Sequence, residues 1–504
     1  MAAREVSLTD RSLAALRWNY LGLFVRVGAQ LVAQIALARL LGPEAFGLFA
    51  AAILLVGVGS ILVEMGLGAA LVQRAQITES DVRMVFTWTL VSGVVITAIA
   101  YALAGSIASA FDDARIADII RGLTPVFLFQ ALTVVPLALL KRDLNFRVIQ
   151  YAYVVSYIGG FMLVGIGLAY FGAGIWSLVA AWLAQSSLMA LITHAYRPHA
   201  KKLAFRSTTF ALPAFGSRVA ATNLANWLVD NVDNIFVGRF LGPTALGFYS
   251  VSYNLVRNPA NHLISSVQSV LFPASARAQE RIDGLQRAYL GVTAGVALLA
   301  FPVFIGIAAV SDTVVNVLLG NRWQGAAQLL SVLSVAMAFH AVMAVAGPFL
   351  WGKGVGTPEL IVQVLAACVL VLALVFSART SVVTVAVVVA AVYAFRLIAM
   401  TVAVCRVLTV PGSAVLEAVR GGVVMAAVVG ATLSLVDSGT RSISLGSVAR
   451  LSIEICVGAG LLACAVLLLP RITLSLHLRR IINTVTANSP LLAALRILRR
   501  VRGH

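Results

Sequence analysis

The chain has 504 residues, of which 61% are hydrophobic and only 11% charged, with a formal net charge of +18. An average soluble domain is roughly a quarter charged, so a water-soluble globular fold is excluded for want of polar surface. Nucleic acid is excluded as a partner by placement: Arg and Lys sit in short breaks between apolar runs and in the C-terminal tail, not in a basic run interleaved with aromatics.

The apolar runs are continuous and about 20 residues long, enough to cross a hydrocarbon core of about 30 Å. A membrane β-barrel would show alternating segments of about 10 residues instead. Helices satisfy every backbone polar group within the segment, so the expected fold is an all-α integral membrane protein. The runs predict about fourteen spans: 17–40, 46–72, 83–107, 121–140, 148–170, 174–195, 211–240, 244–275, 288–310, 325–351, 358–378, 382–405, 413–435 and 447–469.

Orientation follows from the basic residues of the connections. With the N-terminus in the cytoplasm, the tails and even-numbered connections hold twenty-four Lys and Arg, including Lys141, Arg142, Arg147, Lys201 and Lys202. The other side holds seven: Arg39, Arg115, Arg121, Arg239, Arg322, Arg379 and Arg441. Both termini are therefore expected inside. No connection is long enough for an extramembrane domain. The tail 471–504 has seven arginines, no acid, and Leu491, Leu492, Leu495 and Leu498 at helical spacing, which predicts an amphipathic helix on the inner leaflet. Cys368, Cys405, Cys456 and Cys464 all lie in apolar runs without a Cys-x-x-Cys pair and read as buried apolar residues rather than metal ligands. Residues 1–16 are polar and of mixed charge, so no cleavable signal peptide is expected.

An internal repeat organises the spans. Residues 39–49 read R-L-L-G-P-E-A-F-G-L-F and residues 239–249 read R-F-L-G-P-T-A-L-G-F-Y. Each copy joins the first two spans of a six-span block. Gly42 and Gly242 are expected to end one helix in a left-handed conformation. Pro43 and Pro243 suit the first turn of the next helix, and Gly47 and Gly247 allow two helices to approach closely. Arg39 and Arg239 suit a helix C-terminus. Two parallel six-span blocks are a known design for alternating-access transporters.

The hairpin A-R-L-L-G-P-E-A-F-G-L-F, with G-L-G-A-A-L-V-Q-R at 66–74, P-L-A-L-L-K-R-D-L-N-F-R at 136–147 and D-N-I-F-V-G-R-F-L-G-P at 233–243, resembles the polysaccharide exporter and O-antigen flippase branch of the multidrug/oligosaccharidyl-lipid/polysaccharide transporter superfamily. The resemblance covers about residues 10–435. It implies two six-helix lobes around a central cavity, rocker-like alternating access, and transport of a polyprenyl-diphosphate-linked oligosaccharide across the bacterial inner membrane. The expected organisation is an amphipathic cytoplasmic N-terminus 1–16, lobes 17–196 and 211–408 joined by a basic loop 197–210, two additional helices within 409–470, and the basic tail 471–504. A polysaccharide polymerase and co-polymerase are the protein partners this reading suggests.

Ionisable residues inside a span are functional candidates because each costs several kcal/mol unless paired or hydrated. Asn223, Asn226, Asp230 and Asp233 fall on one helical stripe, with Asn234 beside it; Tyr249, Tyr253, Asn254 and Arg257 follow in the next span. Asp230 and Arg257 lie at similar depth in the hairpin and are expected to face each other or to share a polar cavity. Two readings stand: Arg257 meets a phosphate while Asp230 or Asp233 couples transport to a proton or sodium ion, or the pair is a closed structural bridge. Arg26 and Glu64 present the same choice in spans 1 and 2. Arg396 reads as a lone buried cation facing the cavity, whereas His340 and His262 read as packing residues. Asn258-Pro259 predicts a kink. Arg420 with Glu417, and Arg450 with Glu454, read as local pairs.

No catalytic, zinc or phosphate-loop motif occurs, and W-G-K-G-V-G-T at 351–357 lacks the phosphate-loop order. The expectation is a secondary transporter without a cofactor rather than an enzyme. A cation-coupled drug exporter of the same superfamily, and a membrane glycosyl polymerase or ligase, are the alternatives. Buried Arg26, Arg257 and Arg396 argue against the first, and short external connections against the second.

Overall fold

The computed structural model describes residues 8–74, 76–200, 202–205, 212–277, 282–377, 379–443 and 445–468, and among these the regular structure is entirely helical. The predicted tail helix at 471–504 lies outside the described residues, as do residues 1–7 of the predicted N-terminal segment.

The first half runs through α1 (Leu8–Leu41), α2 (Pro43–Glu64), α3 (Leu67–Gln73), α4 (Glu79–Ala110), α5 (Arg115–Leu123), α6 (Val126–Arg142), α7 (Phe146–Tyr157), a π turn into α8 (Ile166–Tyr170), and α9 (Trp176–Tyr196). Next comes α10 (Leu212–Arg277), whose two limbs meet at Gly242. The second half has α11 (Ile282–Ala309), α12 (Ser311–Leu318), α13 (Gly325–Met343), α14 (Ala346–Gly352), α15 (Thr357–Ser377), α16 (Val382–Leu408), α17 (Gly412–Ser442) and α18 (Ser447–Leu468). Among the described residues, 11 helical segments are long and apolar enough to cross a membrane. The other three predicted spans coincide with α1 and the two limbs of α10. The chain is a multi-pass membrane protein. It divides into two compact units, 1–250 and 251–504.

In the first unit the repeat decides the packing. Gly42 has φ 80, ψ 176 and Gly242 has φ 82, ψ 178. The positive φ was expected, but ψ is extended rather than left-handed helical, a region essentially closed to any residue with a Cβ. Pro43 then opens α2. The two copies of the motif also pack on each other. A Cβ on Gly47 would overlap the carbonyl oxygen of Pro243 and come within 2.9 Å of Gly247 N, and a Cβ on Gly247 would overlap the carbonyl oxygen of Pro43. The motif is therefore a reciprocal backbone contact as well as a turn.

Charged groups ring this corner. Arg239 pairs with Asp112, and Arg115 bridges Glu44 at 2.8 Å and Asp113 at 2.7 Å. Hydrogen bonds from Arg115 hold the Asp113 carboxyl below the usual carboxylate range. Elsewhere in the unit, Thr78 and Asp81 form a reciprocal cap on α4, the Thr78 hydroxyl accepting from Asp81 N and the Asp81 carboxylate from Thr78 N. Leu67 and Leu71 of α3, Val85 and Phe86 of α4, and Val135 and Leu139 of α6 form a buried cluster behind it.

In the second unit Trp323 is fully buried, and Tyr289 of α11 packs edge-on to Phe349 of α14 at 5.5 Å. Gln286 Nε2 donates to Leu408 O at 2.7 Å, satisfying a carbonyl at the end of α16. Leu298 of α11, Val310, and Met425, Val429 and Leu433 of α17 form a core against which Val457, Leu461 and Leu462 of α18 pack.

Two outcomes are expected. Alanine in place of a helical glycine ordinarily gains up to about 1 kcal/mol. At Gly47 or Gly247 it should instead lose about 2–3 kcal/mol through overpacking, whereas Gly105→Ala in α4, where nothing lies within 4 Å, should be neutral or stabilising. Thermal unfolding of the purified protein measures the difference. Second, because the Asp113 carboxyl is held low, its bridge contributes above the ordinary carboxylate range and is lost as pH falls through the depressed value. Asp113→Asn should lower Tm slightly at neutral pH, and the gap from the parent should close in acid.

Candidate functional site

In the second unit, the second limb of α10 carries Tyr253 and Arg257, four residues apart and hence on one face. Helix α16 carries Tyr393 and Arg396, three apart, on one face likewise. The two tyrosine hydroxyls meet at 3.1 Å. The Arg257 guanidinium lies 5.2 Å above the Tyr253 ring, and that of Arg396 lies 5.4 Å above the Tyr393 ring. His340 of α13 packs edge-on to Tyr393 at 5.1 Å, within electrostatic reach of both arginines. Gln363 of α15 accepts a long bond from Arg396 at 3.5 Å. Both tyrosines are buried, the arginines are half-buried, and Asn254 is exposed beside them.

This arrangement corrects two expectations. Arg396 is not a lone cation but half of a two-arginine cluster on a tyrosine pair. His340 is not a satisfied packing residue, because its Nδ1 is buried with no hydrogen-bond partner among the described residues. Around Pro259 α10 keeps helical backbone angles, and the turn between its limbs falls at Gly242, as the repeat predicts.

In the first unit, Arg26 lies 5.0 Å over the ring of Tyr153 of α7. Among the described residues it forms no ion pair with Glu64, and its Nε is buried without a partner. The structural-bridge reading of Arg26 with Glu64 therefore fails. Glu64 instead lines a cavity of about 370 Å³ together with Gln130, Thr133, Lys141, Tyr153 and Gln185. Tyr153 joins the two residues: it is within electrostatic reach of both Arg26 and Glu64.

The predicted stripe on the first limb of α10 is graded. Asn223 and Asn226 are exposed, Asp230 is half-buried, and Asp233 and Asn234 are buried. Tyr249 donates to Asp233 at 2.6 Å across the Gly242 corner, and Asn234 N donates to the other carboxylate oxygen at 2.8 Å. Asp233 thus ties the limbs of the hairpin together. Asp230 belongs to the first unit and Arg257 to the second.

Sequence reasoning passed over Tyr393, Tyr153, Gln130, Gln185 and Lys141. The pattern Y-x-x-R at 393–396, matching Y-x-x-x-R at 253–257, was the available signal for the first. Tyr153 and the glutamines carry no charge and left none.

A many-helix membrane protein with a duplicated glycine–proline hairpin and cationic clusters backed by tyrosine has the build of a transporter. Residues 36–328, more than half of the chain, match the family described as "Polysaccharide biosynthesis protein", and the chain belongs to that family. It is 28% identical over 300 residues to the teichuronic acid biosynthesis protein TuaB of Bacillus subtilis, a match covering 58% of this chain and 61% of TuaB. It is 25% identical to the succinoglycan biosynthesis transport protein ExoT of Rhizobium meliloti, over 67% of this chain and 69% of ExoT. Its fold is similar to the solved structure of the lipid II flippase MurJ in an inward closed conformation, with a TM-score of 0.72 at 14% identity, covering 89% of this chain and 97% of the other.

Tyr393→Phe removes one hydroxyl hydrogen bond and keeps the ring under Arg396, so it should cost about 1 kcal/mol. Tyr393→Ala removes both and should cost about 3–5 kcal/mol. Denaturation of the two variants side by side checks this; equal losses would mean that the hydroxyl pair, rather than the ring, holds the cluster.

Proposed function

We propose that this protein is a flippase that carries a polyprenyl-diphosphate-linked oligosaccharide from the inner to the outer leaflet of the bacterial cytoplasmic membrane, by alternating access, for surface polysaccharide synthesis. The observation that carries this reading is the cluster of Arg257 and Arg396 on Tyr253 and Tyr393 in a chain of the polysaccharide biosynthesis family. A diphosphate is the ligand such a cluster fits. Charge-assisted hydrogen bonds to an anion are worth about 1.5–3 kcal/mol each, against about 0.5–2 kcal/mol for a guanidinium on an aromatic face. An arriving diphosphate therefore outcompetes the rings.

Arg26 serves the same chemistry in the first unit, and Glu64 with Gln130 and Gln185 offers hydrogen bonds to sugar hydroxyls in the adjoining cavity. Exposed Asn223, Asn226 and Asn254 are suited to the same task, and Asn234 supports it through Asp233. Asp230, half-buried, and Asp233, buried, are the candidates for a coupling proton or sodium ion. Nothing in this mechanism requires a bond to be made or broken, so the protein acts as a transporter and not as an enzyme. The charge bias of the connections supports cytoplasmic termini. The named roles of TuaB, ExoT and MurJ in polysaccharide biosynthesis, transport and lipid flipping support the cargo class. A polysaccharide polymerase is the partner expected to consume the product.

The test is movement of a fluorescent polyprenyl-diphosphate oligosaccharide across proteoliposomes containing the full chain. The parent should move it, and Arg257→Ala and Arg396→Ala should each slow transport about 10–100-fold, the equivalent of one charge-assisted contact. Transport by the double variant at the parent's rate would sink the assignment of the site, and an inactive parent would sink the function.

A further inference from the structure

Helix α18 is an apolar, outward-facing helix. Among its described residues the single buried side chain is Glu454, only 1% exposed. A carboxylate in the protein-facing position of a membrane helix has to be paired or neutralised. Local pairing with Arg450, one turn earlier, is what the sequence suggests, but the structure gives Arg450 to another partner. Arg450 binds Asp437 of α17 and donates to the hydroxyl of Thr313 of α12 at 2.8 Å. That hydroxyl in turn donates to Asp437 at 3.0 Å. Arg441 of α17 completes the network, at 2.8 Å from Asp437 and 3.0 Å from Asp312 of α12.

The charges of this corner therefore balance without Glu454. Two cations, Arg441 and Arg450, meet two anions, Asp312 and Asp437. Asn316 of α12 and Ser447 of α18 bond to each other at 3.2 Å and add no charge. Glu454 is a fifth charged group, within electrostatic reach of Asp437, Arg441 and Arg450. Both of its carboxylate oxygens are buried and neither accepts from a donor among the described residues; the group within hydrogen-bonding reach is the Asp437 carboxylate, which can share a hydrogen bond with Glu454 only if one of the two carries a proton. Directly beneath it, Val457 and Leu461 enter the apolar core of α11 and α17. An ionised carboxylate there would be unpaired in a low-dielectric setting, at a cost of many kcal/mol, which a buried group avoids by taking up a proton.

We propose that Glu454 is a proton-binding site: its carboxyl is held protonated where α18 packs on α12 and α17, and releases the proton to water only when that packing opens. The last two helices thereby link a conformational change to proton uptake and release, at a place separate from the arginine–tyrosine clusters. The inference stands independently of the cargo proposed above.

The test is infrared spectroscopy of the full-length protein in lipid nanodiscs at neutral pH. A protonated-carboxyl carbonyl band should be present in the parent, absent from Glu454→Gln, and retained in Glu417→Gln, whose side chain is exposed on α17. Should Glu454→Gln fail to fold, Asp312→Asn, at an exposed position, decides the matter. It removes one of the two balancing anions, so Glu454 should ionise in its place and the band should fall to near the Glu454→Gln level. A band unaffected by either variant overturns the proposal. So does the absence of any such band in the parent, including the case in which sodium, but not potassium, stabilises the parent, because Glu454 would then hold a metal cation.

Discussion

The contact on which the first unit depends is backbone against backbone: Gly47 on Pro243 and Gly247 on Pro43. Lipid supplies no hydrophobic force to drive one membrane helix onto another, so close association there relies on van der Waals packing between small residues. Two glycines at equivalent places in two copies of one motif meet that requirement. The same approach fixes the depth at which the first limb of α10 meets α2. Trp227 packs against Gly57 one face along, and Asp233 reaches Tyr249 across the corner. In the first copy the counterpart of Tyr249 is Phe49, which packs on Trp182 instead. The repeat has thus kept the shape of the corner and changed its chemistry, placing a carboxylate–phenol bond in one copy only.

What could be read from the sequence divides along physical lines. Apolar runs report helices directly, because lipid leaves the backbone no other arrangement; among the described residues every predicted span falls on helix. They do not report interruptions within a run, which leave hydropathy unchanged, so some of the predicted spans are each shared between two helices. The stretch 46–72 breaks at Met65 and Gly66, both at positive φ, and 121–140 breaks at Thr124 and Pro125, where α5 passes into α6. The glycine–proline motif was legible as a turn, whereas the mutual packing of its copies was not, since contact across 200 residues leaves no local trace. Charge partners were read worst. Spacing on one helix suggested Arg450 with Glu454, yet Asp437 on the neighbouring helix, already bonded to Thr313, is the stronger acceptor.

Two of the arginine environments stand apart by the partners they offer. Arg83, Arg115, Arg121, Arg197, Arg239, Arg441 and Arg450 rest on carboxylates. Most of these pairs are solvent-exposed and individually worth about 1 kcal/mol or less; what they fix is geometry. Arg26 and Arg396 rest instead on tyrosine rings, and Arg257 lies over one as well. For Arg26 and Arg396, no carboxylate lies within ion-pair distance among the described residues.

That division bears on how a binding site for an anion can exist without filling itself. A guanidinium placed beside a carboxylate is already satisfied, and an anionic ligand would have to displace that partner and leave its charge buried, at a cost of about 3–5 kcal/mol. A guanidinium left with nothing would be costly in the empty state. A tyrosine face lies between these extremes. It holds the cation in place through an interaction of about 0.5–2 kcal/mol, carries no net charge to strand when the ligand arrives, and covers only one face of the planar group. The edge of the guanidinium, where its five donors lie, stays available. The hydroxyl bond between Tyr253 and Tyr393 then does for the second unit what a carboxylate would do for a structural pair. It joins the rings beneath Arg257 and Arg396 through neutral atoms, so this contact gives the pair a defined shape without adding negative charge.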